Sequence, residues 1–478
     1  MSVMKIAHPS VEERRAEGKA ARTKASPSDH TGWAPATDRP DPVSLLEEQD
    51  ATREPDLVPV RHGRMMVSPF TFYRGAAKIM ASDLNGTPIA GLNVQLCGDA
   101  HLSNFGVFAS PERTLLFDLN DFDETLPGPF EYDVKRMAAS FTIAARNNGF
   151  SAADARAATL RSAESYRERM IELAQMGTME IWYARLSEQD IMDAIDTAKR
   201  SLKGSNKKAV VKNAEKSAQK TADKARTRDS LQALSKLAEL VDGKYRIISQ
   251  PPIVIPVREM APAMGYSADQ VEHLLREQFR AYRATLQDDR RHLLERFQLV
   301  DVARKVVGVG SVGTRAFIAL LQGRDQDDPL FLQVKEATRS VLEDHLPKSR
   351  YKQAGERVVQ GQRKMQASSD IFLGWTKGAQ DNRFLYWRQL RDMKGSAVVE
   401  TMNTTGLEFY AHICGQTLAR AHARSGDPVA IAAYLGKKDR FEQSIADFGE
   451  RYADQNEQDY QAFCAAIRSG RIEALEGV

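Results

Sequence analysis

The hydrophobic and polar positions divide the chain into five parts, beginning with an N-terminal arm. Residues 1–64 are rich in charge, Pro and Ser and show little periodicity, so we expect this arm to be mobile and mostly extended. Residues 65–150 predict a compact α/β block. Its predicted elements are a helix at 72–83, strands at 92–99 and 114–122, and an amphipathic helix at 132–147.

The second half of the pattern alternates between helices and strands. Residues 151–300 predict a large, almost wholly helical insertion with one strand-like run at 251–257. Residues 301–395 predict strands with tight turns, and residues 396–478 are helical again. The predicted strands are VARKVVGVGSVG, TRAFIALLQG, PLFLQVKEA, DIFLGWTKG and RFLYWRQL, with a helix at 350–367 after the third. The pattern indicates an α+β protein.

Composition and charge exclude several classes of protein. Hydrophobic residues make up 42% and charged residues 27%, which excludes a wholly disordered chain. The net charge of +3 favours neither nucleic acid nor membrane as a partner. The segment 199–230 holds 11 Lys and Arg against three acids, which is typical of a solvated helical face or a linker; a phosphate-binding patch is the alternative. It is the only hint of nucleic-acid binding, and we do not expect that partner.

The sequence indicates a soluble, cytoplasmic protein. No stretch approaches 18 uninterrupted apolar residues, and the N-terminus lacks the apolar core of a secretory signal. We therefore expect no membrane partner. The three cysteines are too few and too scattered for a disulfide framework or a zinc site.

Two acidic segments are candidates for chemistry. GDAHLSN (98–104) follows an apolar strand, and FDLNDFD (117–123) ends a second one. Carboxylate and amide oxygens at two neighbouring loops suit Mg²⁺, which takes one or two carboxylates plus phosphate oxygens and water. The alternative is a pair of turns in which Asp and Asn only cap the backbone.

A glycine-rich segment supplies a third candidate. GVGSVG (308–313) leads into a strand rather than a helix, which favours a loop folded over phosphates between antiparallel strands. Lys335 lies midway along the apolar strand FLQVKEA, where burial requires an anionic partner. We expect Glu356, on the following helix, to be one partner and a nucleotide phosphate to be the other.

Together these segments resemble the protein-kinase-like superfamily, and most closely its aminoglycoside and choline phosphotransferases. Their catalytic loop HGDxHxxN matches Gly98, Asp99, His101 and Asn104, and their metal loop matches Phe117, Asp118 and Asp121. Cys97 stands where the family has a histidine, and Arg315 where it has a valine. The glycine loop also follows the catalytic loop by some 200 residues. The resemblance therefore implies a two-lobed, circularly permuted kinase-like fold with a helical insertion.

The resemblance also implies roles for individual residues. Asp99 would be the general base, and ATP and Mg²⁺ the cofactors. We expect His101 to brace the loop rather than act as an acid, and Arg74 either to clamp an anionic group or, as we favour, to form an ordinary salt bridge. The metal ligands would be Asn104 and Asp118, which the spacing from Asn104 favours over Asp121 and Asp123. Asp121 stays an alternative ligand, and which of the three aspartates binds the metal is left open. The nucleotide would contact Gly308, Gly310, Ser311, Gly313, Lys335 and Glu356, with adenine near 389–391.

The expected activity is phosphoryl transfer to a hydroxyl of a small molecule. Only about eight residues separate Asp123 from the next helix, too few for the activation segment of a protein kinase. The alternatives are a catalytically silent nucleotide-binding or scaffolding module and a nucleotidyl (AMP) transferase. The whole chain is also similar to the bacterial domain-of-unknown-function family 2252, whose SPFxFxRG segment matches 68–75.

Overall fold

The structure, a computed structural model, describes residues 8–201, 219–378, 382–390 and 393–477. It is 51% helix and 15% strand, which confirms the α+β class. The helices are α1 Val11–Ala21, α2 Pro42–Asp50, α3 Val58–Met65, α4 Pro69–Gly75, α5 Ala77–Leu84, α6 Phe130–Asn147, α7 Ala152–Leu173, α8 Thr178–Tyr183, α9 Glu188–Ser201, α10 Ser230–Leu237, α11 Val257–Met260, α12 Ala268–Arg283, α13 Asp288–Leu294, α14 Ala354–Met365, α15 Thr404–Ala423, α16 Pro428–Leu435 and α17 Arg440–Arg468. The strands are β1 Asn93–Leu96, β2 Phe105–Ala109, β3 Leu115–Leu119, β4 Leu126–Pro129, β5 Ala238–Val241, β6 Lys244–Ile247, β7 Val254–Pro256, β8 Gln298–Lys305, β9 Ala316–Gln322, β10 Pro329–Ala337, β11 Gly374–Lys377 and β12 Phe384–Gln389.

A six-stranded antiparallel sheet forms one lobe, with strand order β11-β12-β10-β9-β8-β7. Its central strand β9 is apolar on both faces because helices or strands cover both sides. Ile318 and Leu320 face a core shared with α10 and β6, whereas Ala319 and Leu321 face a core shared with α12. On the second face, Tyr282 stacks on Trp387 at 4.5 Å between ring centroids.

Helices build the other lobe around α6. Every residue of α6 from Phe130 to Ala145 is buried, because α7, α15, α17 and α4 pack around it. Two small antiparallel sheets, β1 with β4 and β2 with β3, lie between this helical lobe and the large sheet. The loops that follow β1 and β3 carry the two acidic segments and therefore open toward the large sheet.

The segment 151–300 contributes to both lobes. Helix α7 packs between α6 and α15 in the helical lobe. Strand β7 pairs with β8 at the edge of the large sheet, Val254 opposite Lys305, and α12 packs on β11. Residues 238–247, expected to be helical, form the β5–β6 hairpin. Residues 268–297, which lie in the part expected to be helical, form two helices, α12 and α13.

The N-terminal arm is folded where the structure describes it, which corrects the expectation of an extended segment. Helix α1 packs against α16 so closely that a Cβ atom on Gly18 would lie 2.0 Å from the Ala430 carbonyl oxygen. Arg22 Nε donates to the Tyr434 carbonyl at 2.8 Å. Helices α2 and α4 pack against α17. Small residues, rather than a broad apolar stripe, hold α1 in place, whereas α2 buries Val43 and Leu46 against α17.

None of the described helices is long and apolar enough to span a membrane. Most of the basic segment 199–230 lies outside the described residues, which omit 202–218.

Candidate functional site

The loop after β1 carries Asp99, and hydrogen bonds to α6 hold this loop in position. The carboxylate of Asp133 accepts hydrogen bonds from the backbone N–H groups of Cys97, at 2.7 Å, and Gly98, at 3.0 Å. His422 on α15 is fully buried, and its Nε2 lies 3.1 Å from Asp133 Oδ2. Gly98 has a φ of +85°, and a Cβ there would lie 2.3 Å from the Glu124 carbonyl oxygen. Glycine is therefore required here.

Asp99 is held on one side and open on the other. Its Oδ1 lies 2.9 Å from Arg136 Nε and 2.8 Å from Arg136 Nη2. The side chain is 24% exposed and lines a polar cleft. His101 Nε2 is 3.7 Å from Asp99 Oδ2, beyond hydrogen-bond distance. Because burial lowers the pKa of His101 to about 4, its imidazole is neutral at pH 7.

Asn104 joins the two acidic loops. Its Oδ1 accepts the Asp121 N–H at 2.7 Å, and its Nδ2 donates to the carbonyls of Asp99 and Asp121, both at 3.0 Å. One amide therefore sets the spacing between the Asp99 loop and the loop after β3. The assignment of Asn104 as a metal ligand stays a prediction.

Asp118 lies outside the cleft, which contradicts its assignment as a metal ligand. It is 1% exposed within β3. Its Oδ1 accepts hydrogen bonds from Arg420 Nη2 and the Leu119 N–H, and its Oδ2 accepts one from the Ala367 N–H at 3.0 Å. These partners belong to β3 itself, α15 and the segment after α14, so the carboxylate joins the two lobes.

The next two aspartates face the cleft instead. Lys335 Nζ lies 3.3 Å from Asp121 Oδ2 and 2.5 Å from Asp123 Oδ2, and Tyr386 Oη donates to Asp123 Oδ1 at 2.6 Å. The aspartate side chains are 38% and 26% exposed, respectively. Burial disfavours the charged lysine, but the two carboxylates outweigh it and raise the pKa of Lys335. Burial likewise opposes ionisation of Asp121, and Lys335 with Arg388 lowers its pKa overall.

Glu356 does not pair with Lys335, which corrects the predicted ion pair. Its neighbour Arg357 points inward from α14 because consecutive helical residues face directions about 100° apart. The Arg357 guanidinium donates to the carbonyls of Thr125 at 2.6 Å, Asp123 at 2.7 Å and Thr338 at 2.9 Å. Helix α14 thus supports the acidic loop through an arginine that the sequence analysis did not identify.

The glycine loop connects β8 to β9 and reaches the acidic loop. Gly308 and Gly313 have φ values of +70° and +86°, which favour glycine. Ser311 Oγ lies 3.3 Å from Asp123 Oδ2 and 3.3 Å from Lys335 Nζ. Segments some 200 residues apart therefore meet at one point.

The N-terminal segment donates hydrogen bonds to carbonyl groups of the glycine loop. Glu54 N–H donates to the Gly313 carbonyl at 2.8 Å, and Arg64 Nη1 donates to the Gly308 carbonyl at 2.5 Å. Arg53 donates to the carbonyl of Val312. These residues were expected to belong to a mobile arm, and their contacts with the glycine loop were not predicted.

The cleft between these loops is polar and combines both signs of charge. Its lining includes Arg74, Asp99, Asn120, Asp121, Asp123, Gly308, Gly310, Ser311, Arg388, Lys394 and Ser396. Of the segment 389–391, expected to contact adenine, Gln389 hydrogen-bonds to Asp370, and Leu390 N–H donates to the Phe331 carbonyl at 3.0 Å. Arg391 lies outside the described residues.

The two cleft aspartates fit Mg²⁺ better than a metal held by protein alone. Across the described ranges, no three His, Cys, Asp or Glu side chains are grouped as a ready metal site. Mg²⁺ usually needs only one or two carboxylates, with phosphate oxygens and water as its other ligands. Asp121 and Asp123 lie two residues apart in the chain, are partly exposed and both contact Lys335. This arrangement suits a metal ion that binds together with a polyphosphate.

Comparison with known proteins identifies a family without a described activity. The model of the family "Uncharacterized protein conserved in bacteria (DUF2252)" matches residues 53–466. No curated protein and no solved structure matches the chain. The matched range begins at Arg53, which contacts the glycine loop, and includes both acidic loops. Because the match covers most of the chain, the protein belongs to the DUF2252 family.

Proposed function

We propose that the protein is a phosphotransferase of kinase-like fold that uses ATP and Mg²⁺ to phosphorylate a hydroxyl group of a small molecule. One observation carries the proposal: the glycine loop, Lys335 and the two cleft aspartates meet at Ser311, with Asp99 in the same cleft. A glycine loop, a strand lysine, a metal-binding aspartate and a catalytic aspartate are the recurring parts of kinase sites.

The order of elements supports a kinase-like, circularly permuted fold. Counted from β8, the glycine loop joins the first and second strands and Lys335 lies on the third, followed by helix α14. Protein kinases carry their glycine loop and lysine in the same order. The Asp99 loop precedes this unit in the chain yet faces it in space, as permutation of the two lobes requires.

Nucleotide binding would use Lys335, Asp121 and Asp123, which contact one another in the structure. Asp121 and Asp123 would hold Mg²⁺, which would neutralise the charge that develops on the phosphate oxygens. Lys335 would exchange part of its carboxylate contact for a phosphate oxygen. The backbone N–H groups of the loop 308–313 would approach the phosphates without hindrance from Cβ atoms at its glycines.

Asp99 would receive the proton of the acceptor hydroxyl. Its Oδ1 is paired with Arg136, which leaves Oδ2 for the acceptor hydroxyl. The hydroxyl oxygen forms a bond to the γ-phosphorus while the bond from that phosphorus to the β–γ bridging oxygen breaks. ADP leaves with the bonding electron pair, and the hydroxyl proton passes to Asp99. Proton transfer of this kind contributes roughly 10²–10⁴-fold to a rate.

Thermal stabilisation by ATP, with and without Mg²⁺, tests the proposal. At about 100 times its Kd, a ligand stabilises a protein by about 2.7 kcal/mol, enough for a visible shift in Tm. We expect a Mg²⁺-dependent shift that Lys335→Ala and Asp121→Asn abolish. Lys377→Ala, which removes an exposed lysine from the same sheet, is the matched control.

The label in the product separates the competing activities. Transfer of label from γ-labelled ATP to an acceptor would support phosphoryl transfer, whereas transfer only from α-labelled ATP would identify a nucleotidyl transferase. Binding without transfer from either would identify a silent nucleotide-binding module. A wild-type protein that no nucleotide stabilises would contradict the nucleotide site itself.

A further inference from the structure

Arg74 is a cleft arginine without a protein partner. It is half-buried near the end of α4, and its side chain lines the cleft. Its Nε is buried without a hydrogen-bond acceptor, and no carboxylate among the described residues lies within ion-pairing distance of it. The ordinary salt bridge favoured by the sequence analysis is therefore not formed.

Other arginines around the cleft are committed to protein groups. Arg136 pairs with Asp99. Arg388 donates to Gln333 Oε1 at 3.0 Å and to the Asn120 carbonyl at 2.9 Å. Arg315 pairs with Glu336 at 3.2 Å. Arg53 contacts Asp50 and the glycine loop. Arg74 thus differs from them in having its planar donor groups available. That geometry suits a carboxylate or a phosphate.

Arg74 lies beside the glycine loop. A Cβ atom on Gly310 would lie 3.1 Å from the Arg74 carbonyl oxygen, so α4 ends against the tip of the glycine loop. Burial lowers the pKa of Arg74, and the charges of Glu400 and Asp99 offset this only in part. The Arg74 charge in turn contributes to the lowered pKa of His101. Arg74 and Asp99 also line the same cleft.

The N-terminal segment also contributes to this cleft. Gln49 and Thr52 of that segment line it, as does Ala77 at the start of α5. A half-buried guanidinium without a counter-charge would stabilise a ligand that brings one.

We infer that the acceptor is a small hydroxyl compound that carries an anionic group, a phosphate or a carboxylate, which Arg74 binds while the hydroxyl faces Asp99. This inference rests on the proposed phosphotransferase function. Arg74 is a binding residue in this arrangement, and the nucleotide phosphates belong to the glycine loop and Lys335.

Binding of inorganic phosphate to the nucleotide-loaded full-length protein tests the inference. The nucleotide subsite is first filled with Mg²⁺ and an ATP analogue that has an imido group between its β- and γ-phosphorus atoms. Phosphate is then titrated by calorimetry into wild type, Arg74→Gln and Arg74→Lys. Arg276→Gln, on an exposed helix face, is the matched control.

We expect phosphate to bind the loaded wild type, and Arg74→Gln to weaken it by about 10- to 100-fold, the usual effect of losing charged hydrogen bonds. Arg74→Lys should retain part of the affinity, and all variants should bind the analogue equally. Phosphate affinity unchanged in Arg74→Gln, or abolished by the analogue in wild type, would overturn the anion site. Failure of wild type to bind the analogue would overturn the proposed function and, with it, the acceptor assignment.

Matched acceptors then identify the anionic group. Glycerol, glycerol 3-phosphate and glycerate share a hydroxyl chain and differ in charge. We expect phosphorylation of one anionic member at a lower KM than glycerol, and Arg74→Gln should raise that KM about tenfold or more while it leaves the KM for glycerol unchanged. An equal rise for charged and neutral acceptors would contradict the role of Arg74.

Discussion

Replacement of Asp118 by asparagine separates a structural carboxylate from a metal ligand. Asp118 lies where the kinase resemblance places a metal-binding aspartate, yet its oxygens contact Arg420 and the backbone N–H groups of Leu119 and Ala367. The side chains of Asp118 and Arg420 are 1% and 6% exposed, respectively. We therefore expect Asp118→Asn to destabilise the fold rather than to remove a metal site.

The magnitude follows from the buried ion pair. Removal of one partner from a buried pair costs about 3–5 kcal/mol because the other charge loses its compensation. Asparagine keeps one acceptor oxygen, but its amide nitrogen must face either the Arg420 guanidinium or an N–H donor. The retained acceptor places the expected loss of unfolding free energy near the lower end, at about 3 kcal/mol.

Urea unfolding followed by circular dichroism measures this loss, and Mg²⁺–ATP binding is measured on the same samples. Asp121→Asn is the informative contrast, because Asp121 is partly exposed and Lys335 keeps Asp123 as a partner. We expect Asp121→Asn to lose Mg²⁺–ATP binding with a much smaller loss of stability. Asp325→Asn, in an exposed loop, should change neither property.

The opposite pattern would refute the reasoning. If Asp118→Asn unfolds at the wild-type urea concentration but no longer binds Mg²⁺–ATP, its carboxylate is a ligand and the buried contacts are not important. If Asp121→Asn binds Mg²⁺–ATP as wild type does, the assignment of the cleft aspartates is wrong.

Three further predictions concern stability. Burial lowers the pKa of His30 to about 3, whereas the same side chain in the unfolded chain has a pKa of about 6.5. As the pH falls from 7 to 5, the unfolded chain therefore takes up a proton that the folded protein does not. Over this range, urea unfolding should show wild type losing about 2 kcal/mol more unfolding free energy than His30→Gln. Arg357→Ala removes three hydrogen bonds to carbonyl groups around the acidic loop. It should lower the free energy of unfolding by about 3 kcal/mol, measured with urea, and weaken nucleotide binding in calorimetry. An unchanged nucleotide affinity would contradict the supporting role of Arg357. Gly313→Ala and Gly243→Ala both place an alanine at positive φ, which should lower the free energy of unfolding by about 1 kcal/mol. Gly313→Ala should lower it further, because the added Cβ atom would lie 3.0 Å from the Cβ atom of Arg53. Equal losses for the two variants in urea unfolding would contradict the close contact.

Strand β10 and helix α6 were predicted because both are rich in apolar residues and lie in the core. The predicted run FLQVKEA lies within β10, whose residues after the first are all buried, and the predicted helix at 132–147 lies within α6. The β5–β6 hairpin escaped prediction because most of its side chains are exposed or half-buried, so no apolar alternation marks it. Its two-residue Asp242-Gly243 turn was the available signal.

The folded N-terminal arm was beyond the reach of hydrophobic patterning. Helix α1 buries only Gly18 and Ala21, so its contact with α16 depends on small side chains and on close backbone approach. Such residues carry little hydrophobic signal, and a polar helix of this kind resembles a solvated segment in sequence. Local signals marked the start of α1, where Ser10 and Glu13 form a capping box, but not its docking site.

The candidate site divides in the same way between what local sequence determines and what the tertiary fold determines. The spacing of Asp99 and Asn104 predicted a carboxylate and an amide oxygen at one loop, because both residues lie in one short connection whose geometry is local. The spacing from Asn104 favoured Asp118 over Asp121 and Asp123 as the metal ligand, and the structure contradicts that choice. All five residues of β3 are buried, so alternation does not mark which side chains face the cleft. That choice depends on Arg420, which arrives from α15 some 300 residues later and takes the first aspartate out of the cleft. It leaves Asp121 and Asp123 for Lys335, and the chemistry of the site therefore depends on a contact between lobes that neither loop encodes alone.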